Sequence, residues 1–236
     1  MNKPVLYLIP NTLGDTPIDE IMPGIVKNTI EKLTYFIVEN EKTARKFIKQ
    51  ICPEKKQSEL VIFQLDKHDK SAYLDEYIAP MKAGNDIGLL SEAGLPAVAD
   101  PGNLVVQLAH RNKIAVKPLV GPSSLMLALM ASGLNGQKFT FHGYLPKDGA
   151  ELKRKLKFLE QISGKEQMTQ MFIETPYRNH KMLDSLLRNL APHTRLCIAT
   201  DLTLASEYVK TMSIRDWKKQ RLDLHKRPTV FLFQSR

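Results

Sequence analysis

The sequence has few of the residues that build disulfide frameworks, metal sites or membrane spans. Two cysteines, Cys52 and Cys197, lie far apart among 236 residues, and no histidine, cysteine or carboxylate cluster has metal-ligand spacing. No apolar run approaches the roughly 20 residues needed to cross a bilayer. The start MNKPVLYLIPN is apolar over too short a length, with no small-residue cleavage site, for a signal peptide. We therefore expect a cytoplasmic protein without membrane or metal partners, whose cysteines are buried as small apolar side chains.

Acidic residues are also scarce relative to basic ones, 25 against 34, which gives a formal charge of +9. The excess is concentrated in KDGAELKRKLK and RDWKKQRLDLHKR in the second half. Such clusters can neutralise phosphates, so RNA is a plausible partner and Lys153, Arg154 and Lys155 are candidate contacts. The alternative is a solvated helix face, because Leu152 and Leu156, with Leu159, follow a helical spacing that buries the opposite side. The sequence leaves both interpretations open.

The first half alternates short apolar runs with amphipathic patterns. VLYLI, YFIV, LVIFQL, DIGLL and IAVKPLV predict strands, and EKTARKFIKQI and NLVVQLAHR predict helices. This alternation is typical of parallel βαβ units. The runs LVIF and GLL, which do not alternate, predict strands covered on both faces.

The second half has a different order of elements. LMLALMASGL predicts a helix that is apolar nearly all round and therefore buried between layers or at an interface. A basic helix over 151–161 is followed by a polar link, SGKEQ. After the strand MFIE and a further helix, RLCIAT, EYVKTM and TVFLF predict consecutive strands, which favours a mixed or largely antiparallel sheet. The predicted fold class is α/β, with an N-terminal domain over 1–118 built on a mostly parallel sheet and a C-terminal domain over 119–236 built on a mixed sheet.

Three turn-rich stretches follow predicted strands: PNTLGD at 10–15, SEAGLPAVADPG at 91–102 and VGPSS at 120–124. Ligands of open parallel sheets bind where the loops at the carboxyl ends of the strands diverge. Glycine lets the backbone approach a ligand, and amides at a helix start bind anionic groups. None of the stretches is a nucleotide fingerprint, so each taken alone also fits a purely structural turn.

Taken in order, LYLIPNTLGD, SEAGLPAVADPG, PLVGPSSLMLALMASGL, FTFHGYLP, FIETPYR and RPTVFLF resemble the successive signatures of the tetrapyrrole methylase superfamily. The resemblance covers nearly the whole chain and is greatest to the branch that methylates the 2′-hydroxyl of a cytidine in small-subunit ribosomal RNA. It implies an S-adenosylmethionine-dependent methyltransferase, a homodimer with an RNA partner, whose cofactor lies in a cleft between two α/β domains. The positions it assigns to cofactor binding are Pro10, Asn11, Glu92, Ala93, Gly94, Pro96, Pro122, Ser123, Ser124, Phe172, Ile173, Ala199, Pro228 and Thr229.

On the acceptor side, the resemblance points to His68, for which an exposed loop histidine is the alternative. Glu174 and Arg178 lie four apart at a strand-to-helix junction; they form either a helix-start ion pair or an acceptor contact. Trp217 either stacks on a base or lies in the core, and His142 is expected to pack at a strand end. No residue is assigned as a general base.

The sequence departs from the family pattern mainly where the acceptor is expected. The first loop is shorter and lacks a glycine, Lys42 replaces an arginine in ENEK, and Thr200 replaces an arginine in TDL. Two further functions therefore stay open. One is methyl transfer to a small corrin-like or porphyrin-like molecule, and the other is a non-catalytic paralogue that binds cofactor or RNA.

Overall fold

The computed structural model describes residues 3–65 and 74–235, so the candidate His68 lies outside the described residues. The chain divides into two compact units, Met1–Ser123 and Ser124–Arg236. The division falls a few residues beyond the boundary expected at residue 118.

The first unit contains a five-stranded sheet in the order β3-β2-β4-β1-β5, and every neighbouring pair is parallel. Its strands are β1 (Val5–Ile9), β2 (Tyr35–Val38), β3 (Val61–Gln64), β4 (Ile87–Leu90) and β5 (Ala115–Pro118). Its helices are α1 (Ile18–Ile21), α2 (Gly24–Lys32), α3 (Glu41–Ile51), α4 (Leu74–Lys82) and α5 (Asn103–Arg111), with a 3-10 turn at Gln57–Glu59. The predicted parallel α/β organisation is confirmed.

Burial along the strands follows their place in the sheet. All four residues of β4 are buried, as its unbroken apolar run predicts. The same prediction is wrong for β3, where Val61 is 40% exposed. Because β3 is an edge strand, fewer neighbours cover it, and the apolar run alone does not reveal that position.

Helix α3 illustrates how the local sequence sets an element that lines the site. Ala44, Phe47, Ile48 and Ile51 are buried, at the spacing of one helical face. The Asn40 side chain accepts a hydrogen bond from the Thr43 N–H at 3.2 Å, which caps the first turn. The helix therefore begins beside the carboxyl end of β2 and presents its polar face outward.

The second unit contains a mixed sheet in the order β6-β7-β10-β8-β9, in which only β6 and β7 are parallel. Its strands are β6 (Phe139–Tyr144), β7 (Thr169–Ile173), β8 (Arg195–Thr200), β9 (Tyr208–Ser213) and β10 (Thr229–Gln234). Its helices are α6 (Ser124–Ser132), α7 (Gly149–Glu166), α8 (Asn179–Asn189) and α9 (Ile214–Trp217). The predicted mixed sheet is confirmed.

Helix α7 is longer than its apolar spacing predicted. SGKEQ is its last turn and C-cap, and the predicted polar link is wrong. The reason is tertiary: the buried Ser163 hydroxyl donates to the Met168 carbonyl at 2.7 Å, and Gln167 closes the helix with φ +49°. Leu152, Leu156 and Leu159 are buried as predicted.

Helix α6, predicted to be buried between layers or at an interface, is buried on one side only within the single chain, and its burial at an interface stays a prediction. Leu125, Ala128 and Leu129 are buried on the side that packs on β8, β9 and β10. Met126 and Met130 are 40% and 78% exposed. An apolar composition does not specify which face of a helix meets the sheet.

Three residues match their core interpretation. Trp217 is buried, and its indole N–H donates to the Leu196 carbonyl at 2.8 Å. Cys52 and Cys197 are both buried free thiols, as expected.

Within the described residues, 3–65 and 74–235, no helix is long and apolar enough to span a bilayer.

Candidate functional site

The sheet order of the first unit places a crevice at the carboxyl ends of β1 and β4. These two strands are neighbours, and the chain leaves β1 for β2 on one side and β4 for β5 on the other. Connections that diverge in this way form the usual ligand-binding crevice of open parallel sheets. The predicted loops 10–15 and 91–102 are the two connections concerned.

Asn11 ties these two loops together. Its backbone N–H donates to the Gly94 carbonyl at 2.8 Å, and the Gly94 N–H donates back at 3.1 Å. The buried Asn11 amide also donates to the Ser91 and Glu92 carbonyls, both at 3.1 Å. The two loops therefore form one hydrogen-bonded structure.

The third predicted loop packs against the first two at its glycine. A Cβ placed on Gly121 would lie 2.2 Å from the Cβ of Pro10, so only glycine fits there without movement. Gly94 has φ +69°, and a Cβ there would lie 3.3 Å from Leu13 Cδ2 and 3.6 Å from the Pro122 carbonyl. All three turn-rich stretches thus converge, as their positions after parallel strands predicted.

Glu92 is held by groups at the carboxyl end of β2 and the start of α3. The Thr43 hydroxyl donates to its Oε1 at 2.6 Å, and its backbone N–H donates to the Glu39 carboxylate at 3.2 Å. The Glu92 side chain thereby joins the long loop to the start of α3. A cleft of about 190 Å³ adjoins this contact. It is lined mainly by residues 11–15 of the first loop, by Thr43, Lys46 and Phe47 of α3, and by Glu92 and Ala93.

Asp100 organises the remainder of the long loop, a role that sequence reasoning missed. Its Oδ1 accepts hydrogen bonds from the Ala97 N–H at 2.7 Å and the Gly102 N–H at 2.8 Å. Burial raises the pKa of Asp100, and those two hydrogen bonds oppose the shift. Ala97 and Ala99 hold left-handed backbone conformations with φ 64° and 62°. The second part of this long loop is thus a strained turn, held around the Asp100 carboxylate beside the crevice.

In the second unit the positions assigned to the cofactor lie on three adjacent strands. Ile173 and Ala199 are both paired with Val230, and Thr229 is paired with Thr200. The Phe172 ring stacks on Phe231 in the core at 5.5 Å, so the ring is not available to a ligand. Pro228 is exposed and Thr229 is buried. Their assignment to cofactor binding stays a prediction.

Glu174 and Arg178 form the helix-start ion pair, with 3.4 Å between Glu174 Oε2 and an Arg178 guanidinium nitrogen. Glu174 is 6% exposed, and its Oε1 accepts from the Thr175 N–H at 2.7 Å. A role for this pair in acceptor binding stays a prediction.

A second ion pair was not anticipated from the sequence. Arg227 donates to the buried Asp201 carboxylate at 2.6 Å and to the carbonyls of Ser206 and Asp223. Thr200 stands in TDL where the family pattern has an arginine. The neighbouring Asp201 carboxylate is instead paired with Arg227, from the segment before β10. The partners are distant in sequence, so no local signal could have found them.

The basic helix presents its cations to solvent. Lys153 and Arg154 are exposed, and the Lys155 ammonium lies 5.6 Å from the centre of the Phe158 ring. This arrangement fits both phosphate contacts and a solvated face. Among residues 3–65 and 74–235, no three histidine, cysteine or carboxylate side chains are grouped to hold a metal ion.

His142 packs against β7 as expected, but it lies within β6 and not at the end of the strand. Its Nε2 lies 2.7 Å from the Gln170 amide oxygen on β7. Burial lowers the pKa of His142, which favours the neutral ring.

Solved methyltransferases share this fold. The methyltransferase CobJ superposes with a TM-score of 0.65 at 14% identity over 99% of this chain and 95% of its own. A uroporphyrin-III C-methyltransferase from Thermus thermophilus gives 0.58 at 16% identity, over 99% and 93%. The fold is therefore that of the two-domain tetrapyrrole methylases.

No family model matches the chain, but curated relatives are similar to it over most of its length. Proteins named ribosomal RNA small subunit methyltransferase I are 27% identical over 216 residues in Vibrio cholerae, covering 90% of this chain and 70% of the relative. The Buchnera aphidicola protein is 27% identical over 94% and 79%, and that of Mesorhizobium japonicum is 32% identical over 63% and 49%. The chain is thus similar over most of its length to ribosomal RNA methyltransferases, in agreement with the resemblance that its motifs indicated.

Proposed function

We propose that this chain is an S-adenosylmethionine-dependent methyltransferase that modifies a ribose 2′-hydroxyl of ribosomal RNA. The observation that carries the proposal is the convergence of three signature loops at the crevice between β1 and β4. The similarity to curated ribosomal RNA methyltransferases over most of the chain supports the choice of acceptor.

The residues present fit such a cofactor. Gly121 lies against the Pro10 ring, Gly94 lies beside the Leu13 side chain and the Pro122 carbonyl, and Asn11 holds the loops in register. When bound, the cofactor supplies a methyl group already activated by its sulfonium, so the protein mainly aligns donor and acceptor. In this proposal Pro10, Asn11, residues 92–94, Pro96 and residues 122–124 hold it through backbone groups.

An RNA acceptor suits the charge of the molecule. The net charge is +9, and the exposed cations of α7 stand on one helix face. Such a surface attracts phosphates through counterion release. A small tetrapyrrole-like acceptor does not need it. The pairing of two copies implied by the family resemblance is part of the same proposal, and light scattering tests it.

The experiment has two stages. Calorimetry with S-adenosylhomocysteine should show one site per chain, with the same affinity in the presence of a chelator. Labelled cofactor is then offered with small ribosomal subunits, free ribosomal RNA and a small-molecule extract, and any modified nucleotide is mapped. Failure of folded protein to bind S-adenosylhomocysteine contradicts the cofactor assignment. Label found only in small molecules moves the acceptor to a tetrapyrrole-like compound, and binding without transfer to any pool indicates a non-catalytic paralogue.

A further inference from the structure

Two tyrosines of the second unit are exposed in a way that the proposed chemistry does not use. Tyr144 is 60% exposed and Tyr177 is 74% exposed. Among the described residues, 3–65 and 74–235, no aromatic ring and no cation contacts either of these tyrosine rings. Tyrosine is enriched at interfaces because its ring is apolar and its hydroxyl is polar, so two exposed rings in neighbouring segments are candidates for a binding surface.

Both tyrosines lie at the same edge of the sheet. Tyr144 is the last residue of β6 and is paired with Ile173, the last residue of the parallel strand β7. Tyr177 is in the turn that leads from β7 to α8. A left-handed Gly143, with φ +65°, shifts the register just before Tyr144. We call this pair, with the turns that carry it, the tyrosine edge.

Positive charge surrounds the tyrosine edge. Helices α7 and α8 both follow the carboxyl ends of these parallel strands, so their N-termini lie at this edge. Exposed cations occur at Lys147 before α7, at Lys153 and Arg154 in its first turns, and at Lys181 in the first turn of α8. The nearby Asp148 carboxylate is occupied as the N-cap of α7, where it accepts from Ala150 and Glu151.

We propose that the tyrosine edge is a stacking platform for unpaired bases of the RNA acceptor. Each of the two rings stacks on one base, and the surrounding lysines and Arg154 contact the phosphates. Exposed aromatics interleaved with cations are the usual means of holding single-stranded nucleic acid. Bases in a duplex are already stacked on each other, so the platform selects loops and other unpaired segments. This inference rests on the proposed RNA acceptor.

The test compares binding of a labelled single-stranded RNA of about 12 nucleotides with binding of a duplex of the same sequence, by anisotropy. Tyr144→Ala and Tyr177→Ala should each weaken single-strand binding by about 5- to 100-fold, the range found for loss of one stacked base. Tyr144→Phe and Tyr177→Phe keep the ring and should stay near wild type. Duplex binding and S-adenosylhomocysteine binding should not change in any variant.

Phe139→Ala is the matched control, because Phe139 is a 38% exposed aromatic at the other end of β6. An equal loss in this variant overturns the platform, and so does wild-type affinity in both tyrosine-to-alanine variants. A change of molecular mass in those variants, seen by light scattering, assigns the edge to contact between copies and also overturns it. These outcomes leave the methyltransferase proposal intact. That proposal fails separately if the wild type does not bind S-adenosylhomocysteine. Wild type that binds this compound but no RNA removes the RNA acceptor and the platform together.

Discussion

At the scale of single residues, Gly94 connects loop geometry to the proposed cofactor site. It exchanges two backbone hydrogen bonds with Asn11 and holds φ +69°. An alanine there adds backbone strain of about 1–2 kcal/mol. It also places a Cβ 3.3 Å from Leu13 Cδ2, so the Leu13 side chain, which lines the cleft, has to move by a few tenths of an ångström.

Gly94→Ala should therefore reduce S-adenosylhomocysteine affinity at least tenfold, about 1.4 kcal/mol, and should also lower the free energy of unfolding. Gly84→Ala is the matched control: Gly84 has φ +89°, but no atom lies within 4 Å of its added Cβ. It should lose stability and keep affinity. Calorimetry and urea unfolding measure the two effects. Equal affinity in the two variants would remove loop 91–102 from the cofactor site.

Asp100 gives the loop a pH dependence. Its pKa is raised in the folded protein, chiefly by burial, so the folded state binds its proton more tightly than the unfolded chain does. The contribution of this carboxyl group to stability should therefore fall as pH rises from the ordinary carboxyl range through the raised pKa.

Asp100→Asn keeps an oxygen for the Ala97 and Gly102 N–H groups and removes the charge. Urea unfolding across this range should show the asparagine variant gaining stability relative to wild type as pH rises. Asp100→Ala also removes the charge but loses both hydrogen bonds, and should be less stable than the asparagine variant by about 1–3 kcal/mol. A stability difference between Asn and Asp that does not vary with pH would contradict the raised pKa.

At the scale of elements, α7 has one face in the core and the other in solvent. Leu152, Leu156 and Leu159 anchor it, while Lys153 and Arg154 are free to meet phosphates. Because glutamine is a good helix former, replacing these cations with glutamine tests charge without disturbing the helix.

The triple variant Lys153→Gln, Arg154→Gln and Lys155→Gln should lower the magnitude of the logarithmic salt slope of RNA binding by up to about three. S-adenosylhomocysteine affinity should stay the same. The charge-matched control changes Lys49, Lys55 and Lys56 of the first unit to glutamine and should leave the slope near wild type. A triple variant in α7 whose slope equals that of the wild type would make this face a solvated helix surface.

At the scale of the whole molecule, two sheets of different design carry different roles. The first unit is wholly parallel, so its loops converge at one crevice. The second unit has one parallel pair, β6 and β7, and the tyrosine edge lies at the carboxyl end of that pair. The exposed cations of α7 belong to this second unit. The proposed cofactor loops and the proposed RNA contacts therefore lie in different parts of the chain.

Local pattern was sufficient to predict most elements. The bounds Glu41–Ile51 and Asn103–Arg111 match the predicted helices, and Arg195–Thr200 matches a predicted strand. These segments combine regular apolar spacing with clear ends, and such information lies within a few residues. The convergence of the three loops was also predictable, because loops after neighbouring parallel strands share an edge.

Other features depended on partners distant in sequence. The edge position of β3, the exposed side of α6 and the last turn of α7 follow from which neighbours pack there. The Asn11–Gly94 bridge and the Asp201–Arg227 pair join residues from separate segments. The sequence by itself determined the order of elements and the set of loops, because these depend on local spacing and motifs. Only the tertiary structure decided which groups hold the loops and which tyrosines stay exposed, because hydrogen bonds and burial depend on residues brought together by the fold.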